Sequence, residues 1–493
     1  MKGRVPCHQD GKDFVRAKVE FAATESRYFY KGLNAAIGPN KLNYLHGTLT
    51  AMAPIPYPQL VAGGAGEIDY SIDTIAIGAL TAIRRGVSVV ASAGNDGPDA
   101  ITASNVAPWF FTVGASTMDR VFTSFVILGN NKHLRGTSLS DTALPAGKSY
   151  PLILAADAKA ANATTANATL CGPGTLDPSK AAGKIIVCLR GGNIARLDKG
   201  IEAARAGAVG MILANDQSSG NELIADPHLL PASLINYTDG LVVIAYIIPP
   251  KLGVKPAPEM AAFSSRGPNS IDPEILKPDI TAPGVDVLAA YSEVASPSES
   301  ISDARRTAFA IISGTSMSCP HVSGIVGLLK SQHPDWSPAA IKSAIMTTAD
   351  PGLVYDLTLN DYLDLLCHHK YNISFIRSFG NASYTCPEHF SVSTFNYPSI
   401  TVSKLTGSTT VIRRVKNVGS PGTYNVHVLA PSGITVVVEP ESLSFTKTGE
   451  EKMYKVTFKP AVNSTEHKDI VFGELIWSDG KHKVKSPLVV KHM

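Results

Sequence analysis

The run SGTSMSCPHVSG, residues 313–324, brings a serine to the start of an apolar helix. A serine hydroxyl is a weak nucleophile near neutral pH and needs an adjacent base before it can attack a carbonyl. At a helix N-terminus, its own backbone N–H has no intrahelical acceptor and can donate to a developing oxyanion. Ser316 is therefore a candidate nucleophile, although the same residues also suit a plain N-cap before a buried helix.

The base that such a serine needs must come from another part of the chain. The nearest histidine, His321, is five helical residues away, which places it roughly 140° around the helix from Ser316. We expect His321 to be a buried, hydrogen-bonded structural residue. Of the 13 histidines, only His46 lies in a tight small-residue context, LHGTLT (45–50), and it is the candidate base.

A second donor for an oxyanion is found in ASAGNDGP (91–98), which places Asn95 on a turn after a buried strand. Asn favours such turns for conformational reasons alone, so the turn by itself indicates no function. Together with the helix start at Ser316, however, the Asn95 amide becomes a candidate oxyanion donor.

The elements that must position these residues follow an α/β pattern. DTIAIGALTAIRRG (73–86) has helical spacing, and VSVVASAG (87–94) and WFFTVGAS (109–116) are typical of buried strands. HVSGIVGLLKSQHP (321–334) is apolar on all sides and predicts a buried helix, and SPAAIKSAIMTTA (337–349) begins with a Ser-Pro start signal. A helix followed by a buried strand indicates a parallel sheet covered by helices.

Two other segments differ in character from this α/β text. Residues 131 to about 252 contain GKIIVCLRGG (183–192), a helix-like run at 198–210 and the strand GMILAND (210–216), which predict a small inserted α/β unit. After roughly residue 390 the helices stop, and short alternating runs between Gly and Pro predict a β-sandwich.

The composition is typical of a globular protein and argues against several classes of binding partner. A length of 493 residues predicts about two to four domains, and a net charge of +3 without a Lys/Arg stripe argues against nucleic acid. The apolar run LVVIAYII (241–248) is too short to span a bilayer, so we expect no membrane association. The six cysteines show no C-x-x-C spacing, and the D-x-[DN]-x-[DN]-G calcium motif is absent, so we expect no metal and no other cofactor.

Six N-x-[ST] sequons indicate a glycosylated, secreted protein. They lie at Asn162, Asn167, Asn236, Asn372, Asn381 and Asn463. The start MKGRVPCHQDGKD has no apolar core typical of a signal peptide. A secreted composition without an export signal predicts that the true N-terminus is missing. The pairing of the cysteines is not determined by the sequence.

These motifs together are recognisable. SGTSMSCPHVSG, with SAGNDGP upstream and TAPGVDVLAA between, resembles the subtilisin family of serine endopeptidases, and in detail the cucumisin-like plant subtilases. The phrases that carry the detail are SNVAPWFFTVGASTMDR (104–120), FSSRGPN (263–269), LKPDITAPG (276–284), HPDWSPAAIKSAIMTTA (333–349) and DPGLVYD (350–356). The resemblance extends from about residue 60 to the C-terminus.

The resemblance implies the fold class α/β. We expect a subtilisin-like parallel sheet with helices on both faces, an inserted protease-associated α/β domain and a C-terminal fibronectin-type-III-like β-sandwich. The implied domains are 1–130 for an incomplete N-terminal part of the catalytic domain, 131–252 for the protease-associated domain, 253–389 for the rest of the catalytic domain and 390–493 for the fibronectin-type-III-like domain.

The resemblance also implies roles for single residues. Ser316 matches the nucleophile, Asn95 the oxyanion donor, and His46 the base, in L-H-G-T-L where the family has G-H-G-T-H. Gly63 and Gly64 match the strand that pairs with an extended peptide, although a simple glycine turn is the competing interpretation. The implied partner is a protein or peptide substrate, a homodimer is left open, and the implied location is extracellular, in the apoplast or cell wall.

The chain departs from the family in its catalytic acid. The family carries this Asp in a D-[ST]-G strand end before the His, and residues 1–45 contain no such motif. Asp10 and Asp13, in QDGKDF, match text that follows the motif in the family. Without that carboxylate the imidazole loses its orientation and the stabilisation of its charged form.

Two further departures look like excisions. TAMAPIPYPQL (50–60) stands where the family has a long helix and further strands, and its three prolines argue against a helix. Ala349 also runs directly into Asp350, without the stretch that separates them in the family. We hypothesise that the chain is a truncated form of a subtilase, produced by skipped exons or by a faulty gene model. Two interpretations stay open: an active endopeptidase, and a non-catalytic remnant that acts, if at all, as a binding module.

Overall fold

The computed structural model of the protein describes residues 60–62, 69–127, 133–145, 148–238, 245–247, 255–298, 300, 303–348, 351–461 and 470–492. His46, Gly63, Gly64 and Asn463 lie outside the described residues. Two compact units are present: within the described residues, the first unit holds 115–263 and 283–317, and the second holds 60–114, 264–282 and 318–492.

The strands of the described residues are β1 (Leu60–Ala62), β2 (Val89–Ser92), β3 (Phe111–Ser116), β4 (Thr123–Ile127), β5 (His133–Thr137), β6 (Leu152–Leu154), β7 (Ile185–Leu189), β8 (Gly210–Ala214), β9 (Ala232–Ile235), β10 (Ala245–Ile247), β11 (Ile280–Pro283), β12 (Val287–Ala290), β13 (Phe309–Ile312), β14 (Leu353–Val354), β15 (Ile400–Leu405), β16 (Thr409–Asn417), β17 (Gly422–Leu429), β18 (Ile434–Glu439), β19 (Ser442–Phe445), β20 (Glu451–Pro460), β21 (Ile470–Ser478) and β22 (Lys483–His492). The helices are α1 (Thr74–Arg84), α2 (Thr165–Thr169), α3 (Pro178–Ala181), α4 (Arg196–Arg205), α5 (Thr315–Gln332), α6 (Pro338–Thr347), α7 (Leu359–His368) and α8 (Ile373–Phe379). A short 3-10 helix covers Val392–Thr394.

A sheet with the order β1-β2-β3-β11 forms the centre of the second unit, and β2 pairs in parallel with both β1 and β3. Because successive side chains of a strand point to opposite faces, β2 serves two cores. Val89 and Ala91 pack with α1, whereas Val90 packs with Phe111 of β3 and with α5 and α6. The sheet therefore has helices on both faces, as predicted, and the first three residues of β2 are apolar for that reason.

Side chains cap two of the helix starts, and the cap of α6 at Ser337 was predicted. Asp73 caps α1, since its carboxylate accepts hydrogen bonds from the N–H groups of Ile75 and Ala76 at 2.9 and 3.1 Å. Ser337 caps α6 through a 2.9 Å bond from the Ala340 N–H, with proline at the first helical position. Both caps satisfy N–H groups that the helix itself leaves without acceptors.

The prediction that α5 is buried on all sides is wrong. Ile325 is 48% exposed and Leu328 59% exposed, and His321 is exposed on the same side of the helix. Val322 and Val326 are buried against the sheet. The expectation of a buried His321 is therefore also wrong. An apolar composition shows that a helix could be covered on every side, but the packing partners decide which sides are covered.

The first unit contains a mixed sheet of seven strands with the order β10-β4-β5-β9-β8-β7-β6. The neighbouring strands β6, β7, β8 and β9 pair in parallel. The other neighbours in the sheet, β10 with β4, β4 with β5, and β5 with β9, pair antiparallel. The predicted domain boundary at residue 131 falls in sequence between the paired strands β4 and β5 and lies outside the described residues. A disulfide joins Cys171 to Cys188 with a Cα–Cα distance of 5.6 Å.

The C-terminal part of the second unit is a sandwich of two sheets, β14-β16-β20-β18 and β15-β22-β21-β17-β19. Tyr454 and Trp477 meet edge to face in its core at a centroid distance of 5.2 Å. Strand β14 comes from DPGLVYD, and the buried Tyr355 beside it hydrogen-bonds to Tyr454 Oη and Ser486 Oγ, both at 2.6 Å. The sandwich thus includes a segment well before residue 390, where the sequence placed its start.

The cysteines of the second unit include one disulfide, Cys367–Cys386, with a Cα–Cα distance of 5.7 Å. Cys319 is a buried free thiol in α5. Throughout the described ranges, no helix combines the length and apolar character needed to cross a membrane. The same ranges contain no group of three or more His, Cys, Asp or Glu side chains arranged to hold a metal ion.

Candidate active site

Ser316 follows directly on a β-hairpin of the first unit. Strands β12 and β13 pair antiparallel, with Val287 opposite Ile312, and β13 leads through Ser313 and Gly314 into α5. The Gly314 N–H donates to the Gly284 carbonyl at 2.8 Å, so the two backbone segments stay hydrogen-bonded beyond the ends of β12 and β13. Ser316 is the second residue of α5 and is half-buried.

The start of α5 leaves polar backbone groups available at Ser316. The first four N–H groups of a helix have no intrahelical acceptor, and the N–H of Ser316 is one of them. Pro320 lies inside the helix and has no N–H, so the Ser316 carbonyl also lacks its usual donor four residues later. The helix dipole adds partial positive charge at this end. The Ser316 N–H and the positive end of the helix dipole therefore suit the stabilisation of a negative charge next to the Ser316 hydroxyl, whereas the carbonyl, as an acceptor, does not contribute to it.

A neighbouring thiol offers no alternative nucleophile. Cys319 is fully buried, and burial raises the pKa of its thiol far above the ordinary value. A thiol that does not ionise is a poor nucleophile. Among the hydroxyl and thiol side chains of the segment 313–320, Ser313 and Ser316 are partly exposed, and the Ser313 hydroxyl is hydrogen-bonded to Asp286. Ser316 therefore stays the candidate nucleophile of this segment.

Asn95 lies in the second unit, on the turn after β2, and is exposed. Gly94 precedes it with a φ of +98°, a backbone conformation that favours glycine. Ser265 holds the turn from one side: its N–H donates to the Gly94 carbonyl at 3.0 Å, and its Oγ accepts from the Asp96 N–H at 3.0 Å. Asn95 therefore lies between two residues, Gly94 and Asp96, whose backbone groups both hydrogen-bond to Ser265.

A second segment, SNVAP, supports the same turn. The Ser104 N–H donates to the Ala93 carbonyl at 2.8 Å, and the Asn105 side-chain amide donates to the Ser92 carbonyl at 2.8 Å. SNVAP and FSSRGPN belong to the segments that carry the family resemblance, but no role was predicted for Ser104, Asn105 or Ser265. The signal that could have found them is a small polar residue within an apolar run, which in a core needs a partner.

Replacing Gly94 with alanine is expected to lower the free energy of unfolding by about 1–3 kcal/mol. A Cβ at this position would lie 2.7 Å from Ser104 Oγ and 2.8 Å from Ser265 Oγ, in addition to the unfavourable φ. Urea unfolding would measure the loss. The matched control is Gly78→Ala in α1, where a Cβ meets nothing within 4 Å and where we expect a gain of about 0.5–1 kcal/mol. Equal effects of the two variants would contradict the role of Gly94.

Two of the five predicted site residues lie in the described part of the chain, one in each unit. Ser316 lies in the first unit and Asn95 in the second. His46, Gly63 and Gly64 fall outside the described residues, so their roles stay predictions. Strand β1 ends at Ala62, directly before the two glycines, and pairs in parallel with β2.

Four of the predicted glycosylation sites are exposed, namely Asn162, Asn167, Asn372 and Asn381. Asn236 is partly exposed, and Asn463 lies outside the described residues. The hydroxyl two residues on donates to the side-chain oxygen of Asn236 at 2.9 Å and of Asn381 at 2.7 Å. These side chains are accessible for modification, and glycosylation itself stays a prediction.

Comparison with known proteins identifies the class. The model of the subtilase family matches residues 33–380, and the model of a fibronectin type-III domain matches residues 394–490. Because the first match covers well over half of the chain, the chain belongs to the subtilase family. It therefore has the subtilisin fold, followed by a C-terminal fibronectin type-III domain.

Among individual relatives, the chain is 52% identical over 478 residues to subtilisin-like protease SBT5.4 of Arabidopsis thaliana, covering 87% of this chain and 61% of that protein. It is 49% identical to subtilisin-like protease SBT5.3 of the same plant, covering 87% and 62%. A soybean (Glycine max) subtilisin-like protease, Glyma18g48580, is 45% identical, covering 85% and 60%. The chain thus spans about three fifths of the length of these curated relatives.

A solved structure also matches, with a low sequence identity and a low TM-score. It is a psychrophilic subtilisin-like protease, Apa1, from Pseudoalteromonas sp. AS-11, with 16% identity and a TM-score of 0.22, covering 58% of this chain and 62% of that chain. A TM-score of this size carries no argument about the site. The family assignment rests on the sequence comparisons.

Proposed function

We propose that this protein is a subtilisin-like serine endopeptidase that hydrolyses peptide bonds of proteins through an acyl-enzyme on Ser316. The observation that supports this most directly is the position of Ser316, which is partly exposed at the start of α5 and follows a hairpin and a glycine. In this proposal His46 takes the proton of the hydroxyl, and Asn95 donates to the oxyanion together with the Ser316 N–H. Gly63 and Gly64 pair with the backbone of the substrate.

A non-catalytic remnant is the second candidate function. Two sequence observations favour it: L-H-G-T-L around His46 has lost two residues of the family motif, and residues 1–45 contain no D-[ST]-G. Loss of the triad Asp alone lowers kcat of a subtilisin by about 3 × 10⁴, a figure taken from that family. In this case the protein retains the subtilase scaffold and acts, if at all, as a binding module.

A fluorophosphonate probe separates the two functions. If the protein is an endopeptidase, we expect the probe to form a covalent adduct on Ser316, located by peptide mass spectrometry, and to leave Ser316→Ala unlabelled. Ser318→Ala is the matched control, because Ser318 is fully buried two residues away and should not affect labelling. Absence of any adduct on folded wild-type protein would refute the endopeptidase and support the remnant.

The location of the protein is a further part of the proposal. Two disulfides in the described residues, Cys171–Cys188 and Cys367–Cys386, are typical of an oxidising compartment. With the exposed sequons, they support an extracellular glycoprotein of the apoplast or cell wall. We also propose that the unit at 131–252 is a protease-associated domain, since six of the seven strands of the mixed sheet, with α4 placed between β7 and β8, come from this range and only β4 precedes it. A homodimer stays an open alternative.

A further inference from the structure

The hairpin that delivers Ser316 is closed by a pair of reciprocal hydrogen bonds. The Asp286 N–H donates to Ser313 Oγ at 2.8 Å, and the same hydroxyl donates to Asp286 Oδ1 at 3.2 Å. Asp286 precedes β12 and Ser313 follows β13, so the pair continues the hairpin by one position beyond Val287 and Ile312. This pair and the Gly314–Gly284 bond lie at the end of the hairpin that leads into α5.

The Asp286 side chain also reaches the inserted sheet unit. Its Oδ1 accepts a hydrogen bond from the Ala225 N–H at 3.3 Å, and its backbone carbonyl accepts from Arg120 Nη2 at 2.5 Å. Asp286 is only 3% exposed and has a φ of +53°. One buried carboxylate oxygen therefore joins the turn before Ser316 to a loop at residues 222–228.

That loop is itself well anchored. Arg196 binds the Asp226 carboxylate with two nitrogens, at 2.6 and 3.0 Å. Arg305, from the segment leading into β13, donates to the Pro227 carbonyl at 2.6 Å. Because the loop contacts the hairpin near Asp286 and also the chain that enters β13, it can fix the hairpin from two directions. All of these residues belong to the first unit.

We infer that Asp286 is a positioning residue that holds the Ser313–Ser316 turn in place through the Ser313 hydroxyl and ties it to the loop at 222–228. The significance of the turn as a nucleophile turn rests on the proposed function. Asp286 does not touch the substrate; it fixes the backbone from which Ser316 projects. A displacement of about 1 Å at such a position is enough to lower a rate by about 10².

The charge of Asp286 is of secondary importance to this role. Burial and, to a smaller extent, the nearby Asp226 raise the pKa of the carboxyl to about 6, against the bonds from Ala225 and Ser313 and the charge of Arg120, which lower it. The neutral acid is therefore favoured in the folded protein at mildly acidic pH. Asparagine keeps an oxygen acceptor and tolerates a positive φ, so it should replace aspartate here.

Hydrogen–deuterium exchange of the full chain tests the inference. In Asp286→Gly, which suits the φ and removes the carboxylate, and in Ser313→Ala, we expect the amides of 314–318 to exchange about tenfold faster, as the loss of about one hydrogen bond implies. Asp286→Asn should stay within about threefold of the wild type. Both changes remove the bond from the Ser313 hydroxyl to the Asp286 carboxylate, whereas the Ala225 bond is lost only in Asp286→Gly and the Asp286 N–H bond only in Ser313→Ala. The double variant Asp286→Gly/Ser313→Ala should therefore accelerate exchange by clearly less than the product of the two single effects.

Two controls make the result specific. The exposed Asp119→Asn, in the same unit, should leave exchange of 314–318 unchanged, and peptides from β20 should be unaffected in every variant. Multiplying effects in the double variant, an unchanged rate in Asp286→Gly, or equal acceleration in β20 would each overturn the inference. Exchange reports on the turn whether or not Ser316 reacts, so a failure of probe labelling would refute the proposed function and leave this result standing.

Discussion

Asp279→Asn is expected to lower the free energy of unfolding by about 3–5 kcal/mol, the cost of removing one partner from a buried ion pair. The side chains of Asp279 and Lys277 are both 0% exposed, and their charged atoms lie 2.7 Å apart. Lys277 Nζ also donates to the Phe110 carbonyl at 3.0 Å and to Thr112 Oγ1 at 2.9 Å. Every donor of this ammonium group is therefore satisfied within the core of the second unit.

A second buried lysine makes the loss of Asp279 more costly. Lys342 Nζ donates to the Phe110 carbonyl at 2.5 Å and lies 3.4 Å from Tyr397 Oη, and Tyr397 in turn donates to Asp279. Burial lowers the pKa of Lys342 well below the usual range, and the charge of Lys277 lowers it further. Asp279 is the carboxylate that opposes both effects, so its neutralisation leaves two lysines without compensation.

Urea unfolding followed by tryptophan fluorescence would measure this loss, because all three tryptophans, Trp109, Trp336 and Trp477, lie in the second unit. The exposed Asp335→Asn is the control and should change stability by less than about 0.5 kcal/mol. The double variant Lys277→Met/Asp279→Leu should regain most of the loss, since apolar residues often replace a buried ion pair without cost. A loss below about 1 kcal/mol in Asp279→Asn would contradict the importance of the pair.

Asn95→Ala is expected to lower the rate of Ser316 acylation by about 10²–10³ if the protein has the proposed activity. This figure was established for a subtilisin and is carried over by family rather than derived from this chain. The physical reason is that the side-chain amide donates to the oxyanion only as charge develops there, so kcat falls while KM changes little. The contacts of Ser265 with Gly94 and Asp96 keep the turn in place when the side chain is shortened.

The acylation rate would be measured from burst kinetics with an activated peptide ester. Asp99→Ala, exposed on the same loop, is the control and should keep the wild-type rate. Circular dichroism of Asn95→Ala should match the wild type, which separates a lost donor from a lost fold. A rate within threefold of the wild type in Asn95→Ala would remove Asn95 from the site.

Local signals in the sequence determined the elements that present the candidate site. The Asp73 and Ser337 caps, the glycine before Asn95 and the small residues around Ser316 each act within about four residues of the chain, and the structure agrees with them. The continuous apolar run of β2 also predicted a strand buried on both faces. The family phrases identified the class for the same reason, because they are short, contiguous and rich in turn and cap residues.

The tertiary structure alone decided what these elements contact. Periodicity could not show that Ile325 and Leu328 are exposed, that Tyr355 fills the core of the β-sandwich, or that Asp286 joins Ser313 to Ala225. Nothing in the local sequence around Pro278 distinguishes Lys277 and Asp279 from ordinary surface charges. They become a buried pair only when Phe110, Lys342 and Tyr397 arrive from distant segments. The energy of a buried charge depends on such distant partners, and no pattern among neighbouring residues specifies them.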